Sequence, residues 1–301
     1  MPDSPSPYWP CVSIIIPCYK QAQFLAEAID SALAQTYPHV EVVVVNDGSP
    51  DNTADVCKRY GNRIRYVEQE NKGVSEARNA GIRAAIGEYI LPLDADDKID
   101  PSFLAETVPV LRDNPQVGFV YTDVVEFGQV DFRQAKAGLG GRTWDIVRLL
   151  VQPYLACSAL YRKTDWAQVG GYRSEFVHAA EDTDFWLSLV ELGKVGYYVQ
   201  KPLFFYRRHG HNTRSSQPQG RASAETYARI IQLHRGLFEQ YWPEVLAAWA
   251  KRYQEAFAYI RKVEPLLEDY YRLRPGRLEK LGVPLPLARA LHNAAKFFHA
   301  R

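Results

Sequence analysis

Cysteine is scarce in this chain of 301 residues: only Cys11, Cys18, Cys57 and Cys157, with no C-x-x-C pair and no other zinc-type spacing. That excludes a disulfide-stapled scaffold and a thiolate zinc site, and the four thiols are expected to be reduced, as in a cytoplasmic protein. Long apolar runs are also missing. Nothing approaches the roughly 20 consecutive apolar residues of a membrane span, so any membrane contact is expected to be peripheral. The opening MPDSPSPYWP has neither a basic n-region nor an apolar h-region and is not expected to be a signal peptide. Charge of one sign is lacking too. The 36 Lys+Arg against 35 Asp+Glu leave a formal net charge of +1, so no global field points to nucleic acid. A G-x-G-x-x-G fingerprint is absent, and Gly138-Leu139-Gly140-Gly141, with no strand leading into it, is read as an ordinary loop rather than a phosphate cradle.

What is present is an ordinary globular composition, 47% hydrophobic and 24% charged, in a chain long enough to bury a full core. Short β-branched runs alternate with helical spacing. Val12 to Ile16 reads as a strand buried on both faces, and Phe24 to Leu33 as a helix. Val40 to Val45 reads as a second strand, a helix follows from about Asn52, and Arg63 to Val67 reads as a third strand. Ser75 to Ala85 is a helix with Ser75 as its cap, and Tyr89 to Leu93 a fourth strand. Further on, Phe119 to Phe127 and Leu155 to Tyr161 read as strands and Asp184 to Leu192 as a helix. This alternation predicts an α/β fold with a mostly parallel, doubly wound sheet. In such sheets ligands bind beyond the carboxyl ends of strands. The polar clusters at Tyr19, Asn46-Asp47 and Asp94-Ala95-Asp96-Asp97 fall at those ends.

Three carboxylates crowded at one strand end repel one another, and hard oxygen ligands of this kind suit Mg²⁺ or Mn²⁺. The plain alternative is an Asp-rich turn followed by a helix cap at Asp100 before Pro101. Taken in order, VSIIIPCYK (12–20), VVVVNDGSPDNT (42–53), NKGVSEARNAGI (71–82) and GEYILPLDADD (87–97) closely resemble family 2 glycosyltransferases of the GT-A (nucleotide-diphospho-sugar transferase) fold, and the likeness runs from residue 12 to about 210. The resemblance implies a metal-dependent, inverting transferase that uses a UDP-sugar. Pro17 and Tyr19 would pack on the base, Asp47 would bond it, and Arg78 would line the nucleotide pocket. Asp94 would lie near the ribose and sugar, and Asp96 would hold the metal. The plain alternatives are a packed aromatic for Tyr19 and, for Arg78, a salt bridge with Glu76 or an Asp.

Ala179-Ala180-Glu181-Asp182-Thr183-Asp184 resembles the acidic block of the same family, which implies Asp182 as the base and Glu181 as the neighbour that orients it or raises its pKa. The alternative is an acid-rich helix N-terminus favoured by the dipole. Gly170-Gly171-Tyr172 is read as a tight turn leading to the acceptor side, and Trp186 as a core residue rather than a sugar platform. Tyr206-Arg207-Arg208-His209-Gly210-His211 resembles a segment that completes the metal shell. His209 is the match and His211 the second candidate, and a His among oxygen ligands favours Mn²⁺ over Mg²⁺. Arg207, Arg208, Arg214 and Arg221 are read either as a phosphate clamp or as a solvated basic loop.

A catalytic domain is expected over 1–220, its nucleotide-sugar half about 12–97 and its acceptor half about 98–220, followed by a helical extension over 221–301. From Arg272 to Arg301 there are seven Lys/Arg and one acid, Glu279. The extension is read as a helical cap on the domain or on a second copy. Its last stretch, Leu285 to Arg301, is compatible with a peripheral helix on the inner face of an anionic membrane, which would suit a lipid-linked glycan as acceptor. Two competing readings stand beside the transferase. One is an inactive sugar-nucleotide-binding module, disfavoured by intact Asp94-x-Asp96 and Glu181-Asp182. The other is a sugar nucleotidyltransferase, disfavoured because VSIIIPCYKQAQF offers no glycine-rich basic loop for a triphosphate.

Overall fold

A computed structural model describes residues 8–129, 133–134, 143–152, 154–176, 180–209 and 221–254. The glycine-rich loop at 138–141, His211, Arg214 and the basic tail beyond 254 lie outside them. The first half alternates strand and helix: β1 (Val12–Cys18), α1 (Ala22–Leu33), β2 (Val40–Asp47), α2 (Thr53–Lys58), β3 (Arg65–Gln69), α3 (Val74–Ala84) and β4 (Tyr89–Pro92). The second half brings β5 (Lys98–Ile99), α4 (Phe103–Asp113), β6 (Val117–Gly128), β7 (Arg133–Gln134), α5 (Ile146–Val151) and β8 (Leu160–Arg162). It continues with α6 (Lys163–Gln168), α7 (Glu181–Glu191), β9 (Val195–Arg208), α8 (Arg221–Leu233) and α9 (Arg235–Gln240).

One sheet of nine strands runs β3-β2-β1-β4-β8-β6-β9-β5, with β7 beside β6. The stretch from β3 to β4 is parallel throughout. Every residue of β1 is buried, as its unbroken β-branched run requires of a central strand covered by helices on both faces. Beyond β4 the sheet turns mixed: β8 is antiparallel to both β4 and β6, while β6 and β9 run parallel. The β6–β9 ladder breaks register between Thr122 and Val124, and such a bulge bends and re-aims the strand beyond it. The expected strand over Leu155–Tyr161 shrinks to Leu160–Arg162. Leu155 and Ala159 are buried, so the apolar run reports burial rather than a ladder.

Helix α3 crosses β1 and β2 so closely that Gly81 leaves no room for a side chain. A Cβ there would lie 2.5 Å from Ile15 Cγ2 and 2.9 Å from Val45 Cγ2. The helix starts after Gly73, whose φ of 84° is a conformation that costs glycine nothing. Ser75 is not the cap: it sits inside the first turn and is buried. Likewise α4 begins after Ser102, and Asp100 serves instead as acceptor for the Ser102 amide at 2.9 Å.

The chain divides into two compact units, 1–242 and 243–301. Helices α8 and α9 fall in the first of them. Of the second unit, residues 243–254 are described and helical. Among the described residues no helix is long and apolar enough to cross a membrane. Gly81→Ala is expected to lose about 1–2 kcal/mol of stability despite the better helix propensity of alanine, because the added methyl overpacks the α3 contact. Urea denaturation of the variant beside the parent checks this.

Candidate active site

The carboxyl ends of β1 and β2 form the first wall. Pro17 is buried at the end of β1, and Tyr19 just beyond it is 40% exposed. Lys20 Nζ lies 5.0 Å from the Tyr19 ring centroid. Asp47 is buried and already engaged. Its Oδ1 accepts from Gln69 Nε2 at 2.7 Å and from the Lys72 amide at 2.9 Å, and its Oδ2 accepts from the Gly73 amide at 2.9 Å. A carboxylate has about four acceptor positions, so Asp47 both shapes the loop before α3 and keeps capacity for one further donor.

Arg78 does not line an open pocket. It is 1% exposed, and its two terminal nitrogens reach different parts of the fold. Nη2 donates to Asp94 Oδ1 at 2.8 Å and Nη1 to Glu181 Oε1 at 2.7 Å. Of the salt bridges expected for it, the Asp partner is realised and the Glu76 partner is not; Glu76 pairs with Arg83. The guanidinium carbon lies 5.5 Å from the Tyr172 ring centroid, and that ring stacks on Phe185 at 4.4 Å. The other oxygen of Asp94 accepts from the Cys157 thiol at 3.3 Å. Burial, and next the Asp94 charge, push the Cys157 thiol well above its ordinary value, so it stays protonated and able to donate.

The acidic turn is organised from β9. The Arg207 amide donates to Asp97 Oδ1 at 2.8 Å and its Nε to the Asp96 carbonyl at 2.8 Å. Its Nη2 lies 3.0 Å from Glu27, and its guanidinium sits between the Phe24 and Phe127 rings at 4.8 and 4.3 Å. Arg207 is therefore a buried brace and not part of a phosphate clamp. His209 Nε2 lies 2.8 Å from Asp96 Oδ2, with its ring against Phe24 at 4.9 Å. Burial and then the Asp94 charge push Asp96 up, against the pull of His209. Asp97 is pushed up further by its own burial, then by Asp96 and Asp94.

The pair Asp96–His209 fits a divalent cation. Its 2.8 Å separation is close to the ~3 Å between adjacent ligands of an octahedral ion bound at about 2.1 Å. Carboxylates pushed up by burial and then by neighbouring acids are also what an added positive charge would relieve. Among the described residues no group of three or more His, Cys, Asp or Glu side chains forms a metal cage.

Helix α7 presents the second acidic block. Ala180 precedes it in the left-handed region at φ 73°, and Glu181, Asp182 and Asp184 fill the first turn, where the helix dipole favours them. The three acids then part company. Glu181 turns to Arg78. Asp184 is buried and paired with Arg173 and with His234 Nε2 at 3.0 Å. Asp182 is half-buried, its Oδ1 accepting from the Thr183 amide at 2.6 Å. Gly170 and Gly171 make the expected turn at φ 81° and 82°. Trp186 is fully buried against Phe119 and Tyr161, a core residue as read. Sequence reasoning missed Cys157 and His234 as parts of the site or its frame, and named Asp97 only as a third acid of the turn and Tyr172 only as part of a turn. For Cys157 and His234 the sequence carries no signal.

A family model described as glycosyl transferase family 2 matches residues 13–166. An uncharacterized glycosyltransferase of Rickettsia typhi is 34% identical over 216 residues, covering 68% of this chain and 66% of its own length. A chondroitin synthase of Escherichia coli is 30% identical over 210 residues, 68% of this chain and 30% of its own. The chain thus spans about two thirds of the first relative and under a third of the second. Among solved structures it is similar to Staphylococcus aureus TarS 1–349 in complex with UDP-GlcNAc, with a TM-score of 0.63, 20% identity, and coverage of 76% of this chain and 66% of that one. It is also similar to a mannosyltransferase from Pyrobaculum calidifontis in complex with GDP-Man and Mn²⁺, with a TM-score of 0.55, 20% identity, and coverage of 96% and 86%. These likenesses show the fold, which is of the GT-A type.

The raised pKa of Asp97 carries a stability signature. An acid whose folded pKa lies above its unfolded value of about 3.9 binds protons more tightly when folded, so its contribution is full below that pH and lost as pH rises through the folded pKa. Asp97→Asn keeps the oxygen that accepts from the Arg207 amide and removes the titration. In metal-free protein its stability relative to the parent should be level near pH 4 and rise steadily toward pH 7, measured by urea denaturation at each pH.

Proposed function

The chain belongs to glycosyl transferase family 2, and from that membership we propose that it moves a sugar from a UDP-sugar donor to an acceptor hydroxyl, with inversion and with a divalent cation, Mn²⁺ ahead of Mg²⁺. The observation that carries the proposal is the Arg78 bridge. It ties Asp94 of the acidic turn to Glu181 of the second acidic block, so the donor-side and acceptor-side motifs belong to one site.

In this reading Tyr19 and Pro17 receive the uracil, and the spare acceptor capacity of Asp47 takes its imide N–H. Asp94, fixed by Arg78 and Cys157, faces the ribose and sugar. Asp96 and His209 would hold the cation, which when bound supplies positive charge to the departing diphosphate. Asp182 accepts the proton of the acceptor hydroxyl as that oxygen bonds to the anomeric carbon. The bond from that carbon to the diphosphate oxygen breaks on the opposite face, and UDP leaves with the electron pair. Arg78 acts through the two carboxylates it holds rather than by touching the donor. Glu181, neutralised by Arg78, orients the start of α7. The fold neighbour crystallised with UDP-GlcNAc and the chondroitin synthase relative support a UDP-sugar and a glycan or lipid-linked glycan acceptor, in surface polysaccharide or glycolipid assembly. The neighbour holding GDP-Man and Mn²⁺ supports the cation and supplies the competing donor. Peripheral membrane contact through the basic tail, and self-association, belong to the same proposal.

Calorimetric titration with UDP, with GDP as control, each with and without Mn²⁺, tests the donor assignment. Mn²⁺-dependent UDP binding is expected, and Asp96→Ala should abolish that dependence. Binding of GDP alone would overturn the uridine assignment. With a UDP-sugar that turns over, Asp182→Asn should keep donor affinity within about twofold and lower kcat by roughly 10²–10⁴. The nucleotide product should be UDP; released pyrophosphate would mean nucleotidyl transfer instead.

A further inference from the structure

Helix α7 is buried on more than its apolar side. Phe185, Trp186 and Leu189 face the sheet and are fully buried. A second stripe at Asp184, Ser188 and Glu191 follows the i, i+4, i+7 spacing of one helix face, and it is polar. His234, at the joint between α8 and α9, inserts against this stripe with no solvent exposure. Its Nε2 lies 3.0 Å from Asp184 Oδ1, and Glu191 Oε1 lies 3.1 Å from its Nδ1. Arg173 closes the group from the loop before α7, donating to Asp184 and, at 3.2 Å, to Ser188 Oγ. The same two helices are strapped to their surroundings elsewhere. Tyr227 Oη donates to the Leu150 carbonyl at 2.8 Å, and Arg229 pairs with Glu175 at 3.0 Å. Ile230, Leu237 and Phe238 are buried.

A buried carboxylate next to a buried imidazole is costly to desolvate, and breaking such a pair by removing one partner exposes the full cost. This group therefore holds α7 in one pose. Asp182 lies two residues from Asp184 on the same first turn, and Glu181 beside it is held by Arg78. We infer that His234 is a positioning residue for the transfer step: it sets the rotation and height of α7, and through α7 the place of the Asp182 carboxylate. The inference rests on the assignment of Asp182 as base. It gives helices α8 and α9, which lie beyond the residues matched by the family model, a role in the reaction rather than in cover alone.

The test is kinetic and uses the full chain. His234→Ala should lower kcat by roughly ten- to a hundredfold, as small misplacements of a reacting group do, while donor KM stays within about twofold. His234→Gln, whose amide can still donate toward Asp184, should recover most of the loss. The decisive comparison places His234→Ala in the Asp182→Asn background. If His234 acts through Asp182, it should lower the residual turnover there by less than about twofold. An equal fold-loss in both backgrounds, an unchanged kcat in His234→Ala, or a loss expressed as donor KM would each overturn the inference. Should His234→Ala fail to fold, Asp184→Asn, nearly isosteric, carries the same expectations and the same refutations. If Asp182→Asn itself retains wild-type turnover, the base assignment has failed. If Asp182→Asn is inactive and His234→Ala is not, only the present inference has failed.

Discussion

The site hangs on one buried cation. A guanidinium taken out of water costs several kcal/mol unless it is paired, and both terminal nitrogens of Arg78 are paired with carboxylates from two distant places, Asp94 and Glu181. The planar fork of arginine suits this, since its two terminal nitrogens can serve separate partners in fixed directions where a lysine ammonium could not. The result is mutual. Without Arg78 the acidic turn and the start of α7 would be two clusters of negative charge facing a common space. With it they are parts of one frame, and Tyr172, stacked on Phe185, supports the guanidinium from the side.

A second brace works on the same turn from β9. Asp97 is fully buried and Asp96 nearly so, and carboxylates in that position resist ionising. The strand end answers with the Arg207 amide, the Arg207 side chain and His209. Arg207 in turn is held between two phenylalanines and against Glu27 of α1. The irregular register near Thr122–Val124, where β9 runs beside β6, is consistent with a ladder bent to deliver 207–209 to the acids. Carboxylates left short of positive charge in this way form a site that gains most when a divalent ion arrives.

Much of this was legible in the sequence, and the limits are physical. The strands β1, β2 and β4 were readable because buried parallel strands write themselves as continuous apolar runs, and the acids at their ends followed from topology. The run Leu155–Tyr161 misled because burial alone does not specify a ladder. It wraps beneath the acidic turn and presents Cys157 to Asp94 before pairing for only three residues. Ser75 misled because a small polar residue near a helix start can as easily sit inside the first turn, and Gly73 with its positive φ took the boundary. An Asp partner for Arg78 was readable, but its bond to Glu181 was not, since that residue lies 103 positions away. The arginine pair at 207–208 read as a phosphate clamp or a solvated basic loop because sequence shows charge and not which cation is buried.

Helix α7 shows why reactive acids need a frame built around them. The dipole of its first turn welcomes Glu181, Asp182 and Asp184 together, yet three like charges within one turn repel, and the field alone assigns none of them a role. The differentiation comes from outside the helix. Arg78 of α3 takes Glu181, and Arg173 with His234 takes Asp184. With Glu181 paired to Arg78 and Asp184 to Arg173, the repulsion among the three acids of the turn is reduced. Acids that sit side by side in sequence are thus given different surroundings by elements far from them in the chain.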